Sequence, residues 1–457
     1  MYTCLNKALR TLLSITLVVF FLISSHRLSA QIISTYAGNG STNENGDGAL
    51  AAAAGVPHPY GICVDAAGNL YITGTHKVRK VNATTGIITT VAGTGSPGFS
   101  GDGGPALNAR MQFTNGVCVD LQGNIYVTEY TNQRIRKITA ATGIITTIAG
   151  NGTAGYSGDN GPSVSATVNV PKGICVDASG NVYFADLYNS RVRKISASGI
   201  ISTIAGTGVT AHSGDGGPAQ NAGVPTPVNV CLDAAGTNLF IVETSGRVSC
   251  RVRKVNLATG IITTVAGTSS MAYSGDGGPA TSASLFDPSA VCVDGSGNIY
   301  ITTYDDARIR KVDAATGIIT TIAGTGSYGY NGDCIPATTA SFDRPTGMCI
   351  DSRGNLYIAD NFNSRIREIS TSSYTNSPEV TVAASDTVIC PGGSITFTAT
   401  NKSGNRFPVY QWMVDGRDVG TNSTVYTTSA LTNGSVVQCR MTVPHCSGGS
   451  TKDFLIL

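Results

Sequence analysis

The sequence predicts an all-β protein: a closed ring of six four-stranded blades, that is a six-bladed β-propeller, followed by a smaller β-sandwich. Three observations carry this. One strand pair recurs six times at intervals of about 55–60 residues, and such a period marks a solenoid or a propeller. Each copy reads as four short strands, which favours the propeller. The sixth copy lacks its last strand, and a matching strand stands alone near the N-terminus. Composition agrees. The 457-residue chain is only 13% charged and carries 56 Gly, and its Thr, Val and Ile recur in every segment, so it is turn-rich β rather than helical or disordered.

The N-terminus comes first. Lys7 and Arg10 precede an apolar run from Leu12 to Ile23, and a small-residue stretch ends at Ala30. This is the pattern of a secretory signal peptide, residues 1–30, too short and asymmetric for a membrane span. Its removal takes away Lys7, Arg10 and Arg27, leaving 27 basic against 28 acidic side chains. A net charge near −1 offers no footprint for nucleic acid or anionic membrane, and no later segment is apolar enough to span a bilayer. The expected location is secreted or cell-surface, in a Gram-negative bacterium.

The repeats occupy 31–370. Strands a and b read GICVDAAGNLYIT (61–73), GVCVDLQGNIYVT (116–128), GICVDASGNVYFA (173–185), NVCLDAAGTNLFIV (229–242), AVCVDGSGNIYIT (290–302) and GMCIDSRGNLYIA (347–359). Their Asp-x-x-Gly-Asn joint is a tight turn. A basic strand c follows (KVRKV, RIRKI, RVRKI, RVRKV, RIRKV, RIREI), and in five copies strand d reads IITTVAG or a close variant. The sixth copy stops after strand c. The missing strand is expected from Ile32 to Gly38, which closes the ring and removes its open edge. Six cysteines share one strand-a position (Cys63, Cys118, Cys175, Cys231, Cys292, Cys349); on neighbouring blades they stand too far apart to bridge and read as small buried hydrophobes.

VDAAGNLYI, ADNFNSRIR and TVAGTGSPGFSGDGGPA resemble bacterial extracellular NHL-repeat propellers. The resemblance covers about 32–370 and implies fold far more than function, because propellers host binders and enzymes alike.

Function is expected on the face that carries the long connections. One connection contains FSGDGGPA (99–106) or a variant in every copy, and the sequence reading places these motifs as a rim around the channel mouth. Their acids are Asp47, Asp102, Asp159, Asp215, Asp276 and Asp333. They read as a carboxylate ring for a cationic or hydroxylated ligand, or as turn caps. Calcium is the weaker reading, since Asp-Gly-Gly lacks the spaced oxygens of a calcium loop; otherwise no cofactor is expected. Phe99, Tyr156, Tyr273 and Tyr330, with His212 in the same place, precede the motif and anchor it. Tyr130, Tyr188, Tyr304 and Phe362, in the b–c loops, offer a contact surface for sugar or peptide. The first arginines of strand c (Arg134, Arg191, Arg251, Arg308, Arg365) are expected to pair with acids ending strand b (Glu129, Asp186, Glu243, Asp360), with Arg308 turning to Asp305 or Asp306 because Thr303 breaks the pattern.

Some six-bladed relatives are metal-dependent lactonases or lyases with ligands just before the strand-a glycine. Here those positions are Tyr60, Asn115, Lys172, Val228, Ser289 and Thr346, which do not make a metal set. The fallback channel cluster is His58, Asn115, Asn229 and Asp287. The expected function is therefore binding of an extracellular polysaccharide, peptide or protein, with a metal-dependent lactonase, lyase or hydrolase as the alternative and a structural matrix protein as the second.

A polar linker (371–379) leads to 380–457, where alternating strands and Cys390, Trp412 and Cys439 resemble immunoglobulin-like or PKD-like modules of secreted Bacteroidetes-type proteins. The resemblance implies a Cys390–Cys439 disulfide, with Cys446 as a rival partner, and a spacer role. A Cys250–Cys334 bridge is an open alternative.

Overall fold

The computed structural model describes residues 31–245, 249–371, 379–386, 393–402, 407–442 and 449–455; the expected signal segment, Cys390 and Cys446 lie outside them. Blade 1 pairs Ile62–Val64, Leu70–Thr73, Val78–Val81 and Ile88–Ala92 in the order a-b-c-d. The same order holds in blades 2 (Thr114–Val119 to Ile145–Ala149), 3 (Pro171–Val176 to Ile201–Ala205), 4 (Pro227–Leu232 to Ile262–Ala266) and 5 (Pro288–Val293 to Ile319–Ala323). Blade 6 takes strands a to c from Pro345–Ile350, Leu356–Asp360 and Arg365–Ser370. Its strand d is Ile32–Ala37, antiparallel to Arg365–Ser370, so the ring closes with the N-terminal strand.

Local chemistry explains the repeat. In blade 1 Asp65 Oδ1 accepts from the Ala67 and Asn69 amides, and its Oδ2 accepts from Asn69 Nδ2 and the Tyr71 hydroxyl. Gly68 sits at φ +83° inside that turn, a conformation that favours glycine. Between blades, apolar side chains form six clusters; one joins Val78 and Ala92 of blade 1 to Val117, Val127 and Ile145 of blade 2. The six strand-a cysteines are free thiols packed at these seams, acting as small hydrophobes.

Beyond residue 379, Val380–Ala384, Ile395–Asn401 and Val425–Thr428 form one sheet, and Val409–Val414, Arg417–Val419, Val436–Thr442 and Gly449–Leu455 form another. Ile395 and Phe397 of the first share a core with Trp412, Val437 and Met441 of the second. The expected Cys390–Cys439 disulfide is not formed. Cys439 is a free thiol, fully buried opposite Trp412 in that apolar core. Cys250 is likewise a free buried thiol, so it does not bridge to Cys334.

Candidate functional site

The repeated motif lies elsewhere than expected. It runs along the outer edge of strand d of the blade that follows it, not around the mouth. The Gly103 amide donates to the Ile145 carbonyl and the Ile145 amide to the Gly104 carbonyl, so the loop supplies partners to an edge that would otherwise be open. In blade 6 the equivalent Ile335–Pro336 is a short fifth strand against Ile32–Ile33.

Its aspartates are engaged in this belt. Asp102 Oδ1 accepts from Arg136 Nε and Nη2 at 2.9 and 2.6 Å, and Oδ2 from the Thr147 amide and hydroxyl. Asp47, Asp159, Asp215, Asp276 and Asp333 hold Arg79, Arg193, Arg253, Arg310 and Arg367 at 2.6–3.1 Å. These six arginines are at most 3% exposed. Such carboxylates, set along the outer edge and with both oxygens occupied in five of the six, form a structural clamp rather than a ligand ring. Burial alone would push Asp159 up, but hydrogen bonds from Thr203 and Tyr156 and the Arg193 charge hold it below the usual carboxylate range.

A second correction concerns the acids ending strand b. They pair with the second arginine of strand c, not the first: Glu129 with Arg136, Asp186 with Arg193, Glu243 with Arg253, Asp360 with Arg367, at 2.8–3.8 Å. Only the second arginine lies beneath the motif loop. The first stacks on the anchoring aromatic, Arg134 on Phe99, Arg191 on Tyr156, Arg308 on Tyr273 and Arg365 on Tyr330, at 3.7–3.9 Å. The exceptions compensate. Blade 1 has Gly74 where the acid belongs, and Glu44, in the aromatic place, fills that gap: its Oε1 lies 3.4 Å from where a Cβ on Gly74 would stand. Glu44 pairs with Lys77 at 3.8 Å and acts electrostatically on Arg79. Blade 5 has Thr303 in the acid place, and Asp306 supplies the charge to Arg308, at 3.6 Å, and to Arg310. Aligned motif columns contain this signal, because an acid lost from one column reappears in another of the same blade.

The channel mouth obeys a different rule. Strand a of every blade lines a central cavity of about 470 Å³, and the six positions before the strand-a glycine column, Tyr60, Asn115, Lys172, Val228, Ser289 and Thr346, all face it. Two residues upstream, His58, Phe113, Val170, Thr226, Asp287 and Arg344 all adopt left-handed φ between +34° and +60°. That conformation is strained for non-glycine residues, most of all for β-branched Val and Thr, and strain of this kind collects at functional sites. It also aims the b–c loops: the Tyr130 and Tyr304 amides donate to the Phe113 and Asp287 carbonyls.

Tyr304 lines the cavity. Tyr130 is half-buried and hydrogen-bonded to Tyr188; burial and that bond push its hydroxyl up. Tyr188 and Phe362 lie one residue further along their loops and stand 61% and 47% exposed at the rim. Sequence reasoning missed Arg344, whose guanidinium lies 4.8 Å from the Phe362 ring and 5.7 Å from Tyr304. Of the fallback cluster, Asn115, Asn229 and Asp287 line the cavity, whereas His58 packs edge-on against Phe362. Burial lowers the Lys172 ammonium, opposed by Asp287. Burial raises Asp287, opposed by a hydrogen bond from Thr244 and by Lys172. Among the described residues no three His, Cys, Asp or Glu side chains stand together as metal ligands. Asp287, Asn115 and Asn229 could offer oxygen ligands to a hard divalent ion, and the Lys172 ammonium lining the same cavity opposes a cation there.

The Teneurin NHL domain family matches residues 152–212 and 270–331, and the NHL repeat family matches 342–369. The ring is an NHL-repeat β-propeller. Protein SUPPRESSOR OF QUENCHING 1, chloroplastic, of Arabidopsis thaliana is 26% identical over 292 residues, covering 62% of this chain and 27% of that protein. Teneurin-3 of Mus musculus is 26% identical over 335 residues, covering 66% of this chain and 12% of its own length. The chain thus spans well under a third of these relatives. Among solved structures, the NHL propeller is similar to a structural genomics protein of unknown function from Bacteroides thetaiotaomicron (TM-score 0.54, 20% identity, 74% of this chain and 75% of that one). It is also similar to an auxiliary nutrient binding protein from Bacteroides ovatus (TM-score 0.55, 16% identity, 75% and 77%). At these identities the likeness concerns the fold.

Proposed function

We propose that this is a secreted or cell-surface binding protein that recognises an extracellular polysaccharide, peptide or protein at the channel mouth, with the C-terminal unit as an immunoglobulin-like spacer. One observation carries the reading. At equivalent backbone positions the outer belt repeats its residues blade after blade, whereas the mouth sets six different side chains around one cavity. Scaffold demands sameness from a repeat; recognition of an asymmetric ligand demands difference. The cavity is of the size that takes a small molecule or the end of a chain, and Tyr130, Tyr188, Tyr304 and Phe362 add rings with apolar faces, three of them with polar tips. The test is binding to glycan and peptide arrays by the protein and by its Tyr130→Ala, Tyr188→Ala and Tyr304→Ala variants. The reading expects a hit that each substitution weakens, Tyr304→Ala by about tenfold or more. A hit unmoved by all three would place recognition elsewhere.

A further inference from the structure

Of all the residues lining the cavity, Lys172 and Asp287 alone carry charge. They come from blades 3 and 5 and flank blade 4, which is also the only blade with Asn229 where the others have Gly or Ala at the strand-a position. The two charges act on each other electrostatically, yet among the described residues they form no ion pair, so a gap separates them. Lys172 is half-buried, and its ammonium has no hydrogen-bond acceptor among the described residues. An ammonium partly screened from water and facing a cavity without a counter-charge favours an anionic partner there. Asp287 receives the Thr244 hydroxyl on one oxygen, leaving the other for a ligand, and Asp305 adds negative charge on the same side. Its left-handed backbone, at φ +52°, fixes where the carboxylate sits.

We infer that the mouth takes a zwitterionic group, that of a short peptide or amino-acid derivative, with its carboxylate on Lys172 and its ammonium on Asp287. This rests on the binding function proposed above and names its ligand class. The single cationic and single anionic side chain then meet opposite charges, and Asn229 and Ser289 face the polar atoms between them. The rings of Tyr60 and Tyr304 border the same space.

Isothermal titration of the full chain with dialanine, N-acetyl-dialanine, dialanine amide and maltose tests this. Dialanine is expected to bind. Blocking either end should weaken it by about ten- to a hundredfold, the worth of a hydrogen bond to a charged group. Lys172→Met should bind dialanine and its amide alike, and Asp287→Asn should bind dialanine and its N-acetyl form alike. Both variants are expected to keep the fold, because Asn at 287 still offers an amide oxygen to the Thr244 hydroxyl of blade 4 and the Lys172 side chain makes no hydrogen bond to another blade. Dialanine failing to bind, blocked forms binding equally well, or either variant keeping its discrimination would overturn the inference. Maltose binding alone, or a tyrosine-dependent array hit of uncharged chemistry, would do so while leaving the proposed function standing. Loss of every tyrosine-dependent hit would remove both.

Discussion

At the outer edge of each blade an arginine with almost no exposed surface is held between two carboxylates. At the inner edge, the same six repeats present Tyr, Asn, Lys, Val, Ser and Thr in one column and His, Phe, Val, Thr, Asp and Arg in another. The belt even conserves its chemistry when its sequence changes, as Glu44 for Gly74 and Asp306 for Thr303 show. The mouth keeps only its backbone. The contrast separates scaffold from site without any other sequence, because the blades serve as each other's controls.

The largest expected effect comes from opening the ring. Deleting 31–40 removes strand d of blade 6, including the buried Ile33 and Tyr36, each worth about 1.5–3 kcal/mol of burial. It also removes Thr35, which donates to Asp333 at 3.0 Å. Thermal unfolding should shift down sharply; an unchanged melting curve would contradict closure by this strand. Next is Arg136→Ala, which leaves Glu129 and Asp102 without their cation. About 3–5 kcal/mol should be lost in denaturant titration, as when one partner of a buried pair is removed. A loss below about 1 kcal/mol would mean that the clamp is decorative.

Smaller, and sharper about the belt, is the compensation in blade 5. Asp306→Asn should destabilise by about 1–3 kcal/mol, and adding Thr303→Asp should restore most of it by recreating the arrangement of blades 3 and 6. Strict additivity in that double-mutant cycle would refute the idea that the acid has changed columns. The smallest effect is in pH. Burial, partly offset by Asn189 and Arg193, pushes Asp186 to about 6, and burial partly offset by Arg367 pushes Asp360 to about 7. A raised carboxyl binds its proton more tightly in the folded state, so its stabilisation is complete below the usual carboxylate range and is lost as pH rises through 6 to 7. Asp159 and Asp276 are lowered and act oppositely, losing stabilisation as pH falls below that range. The melting temperature should therefore peak near about pH 5, and Asp360→Asn should flatten its decline toward pH 8.

The fold was legible because it is periodic: five Asp-x-x-Gly-Asn turns, a sixth with Thr237 inserted, and one stray IISTYAG are enough to close a ring. The mouth was partly legible, since the residues before the strand-a glycines follow from the strand alignment. The motif was misplaced because sequence gives the order of a connection but not its path. What decides the path is the unpaired edge of strand d, which draws Gly103 and Gly104 outward to Ile145. The arginine pairing was off by two residues for the same reason. Glu129 stands opposite Arg134 in the ladder, yet only Arg136 lies beneath the loop that carries Asp102. The strand alignment named Lys172 and the fallback cluster named Asp287, but nothing in the sequence paired them, because blades 3 and 5 bring them together only once the ring closes.

The most direct measurement is a paired one: melting temperature and array binding for Tyr304→Ala and for Thr147→Val, which removes the hydroxyl donor to Asp102 at the belt. The account predicts that Tyr304→Ala loses binding while melting within about 0.5 kcal/mol of the parent, and that Thr147→Val loses stability while binding as the parent does. Binding lost from the belt variant at a temperature where it is fully folded, and kept by the mouth variant, would contradict the division between scaffold and site.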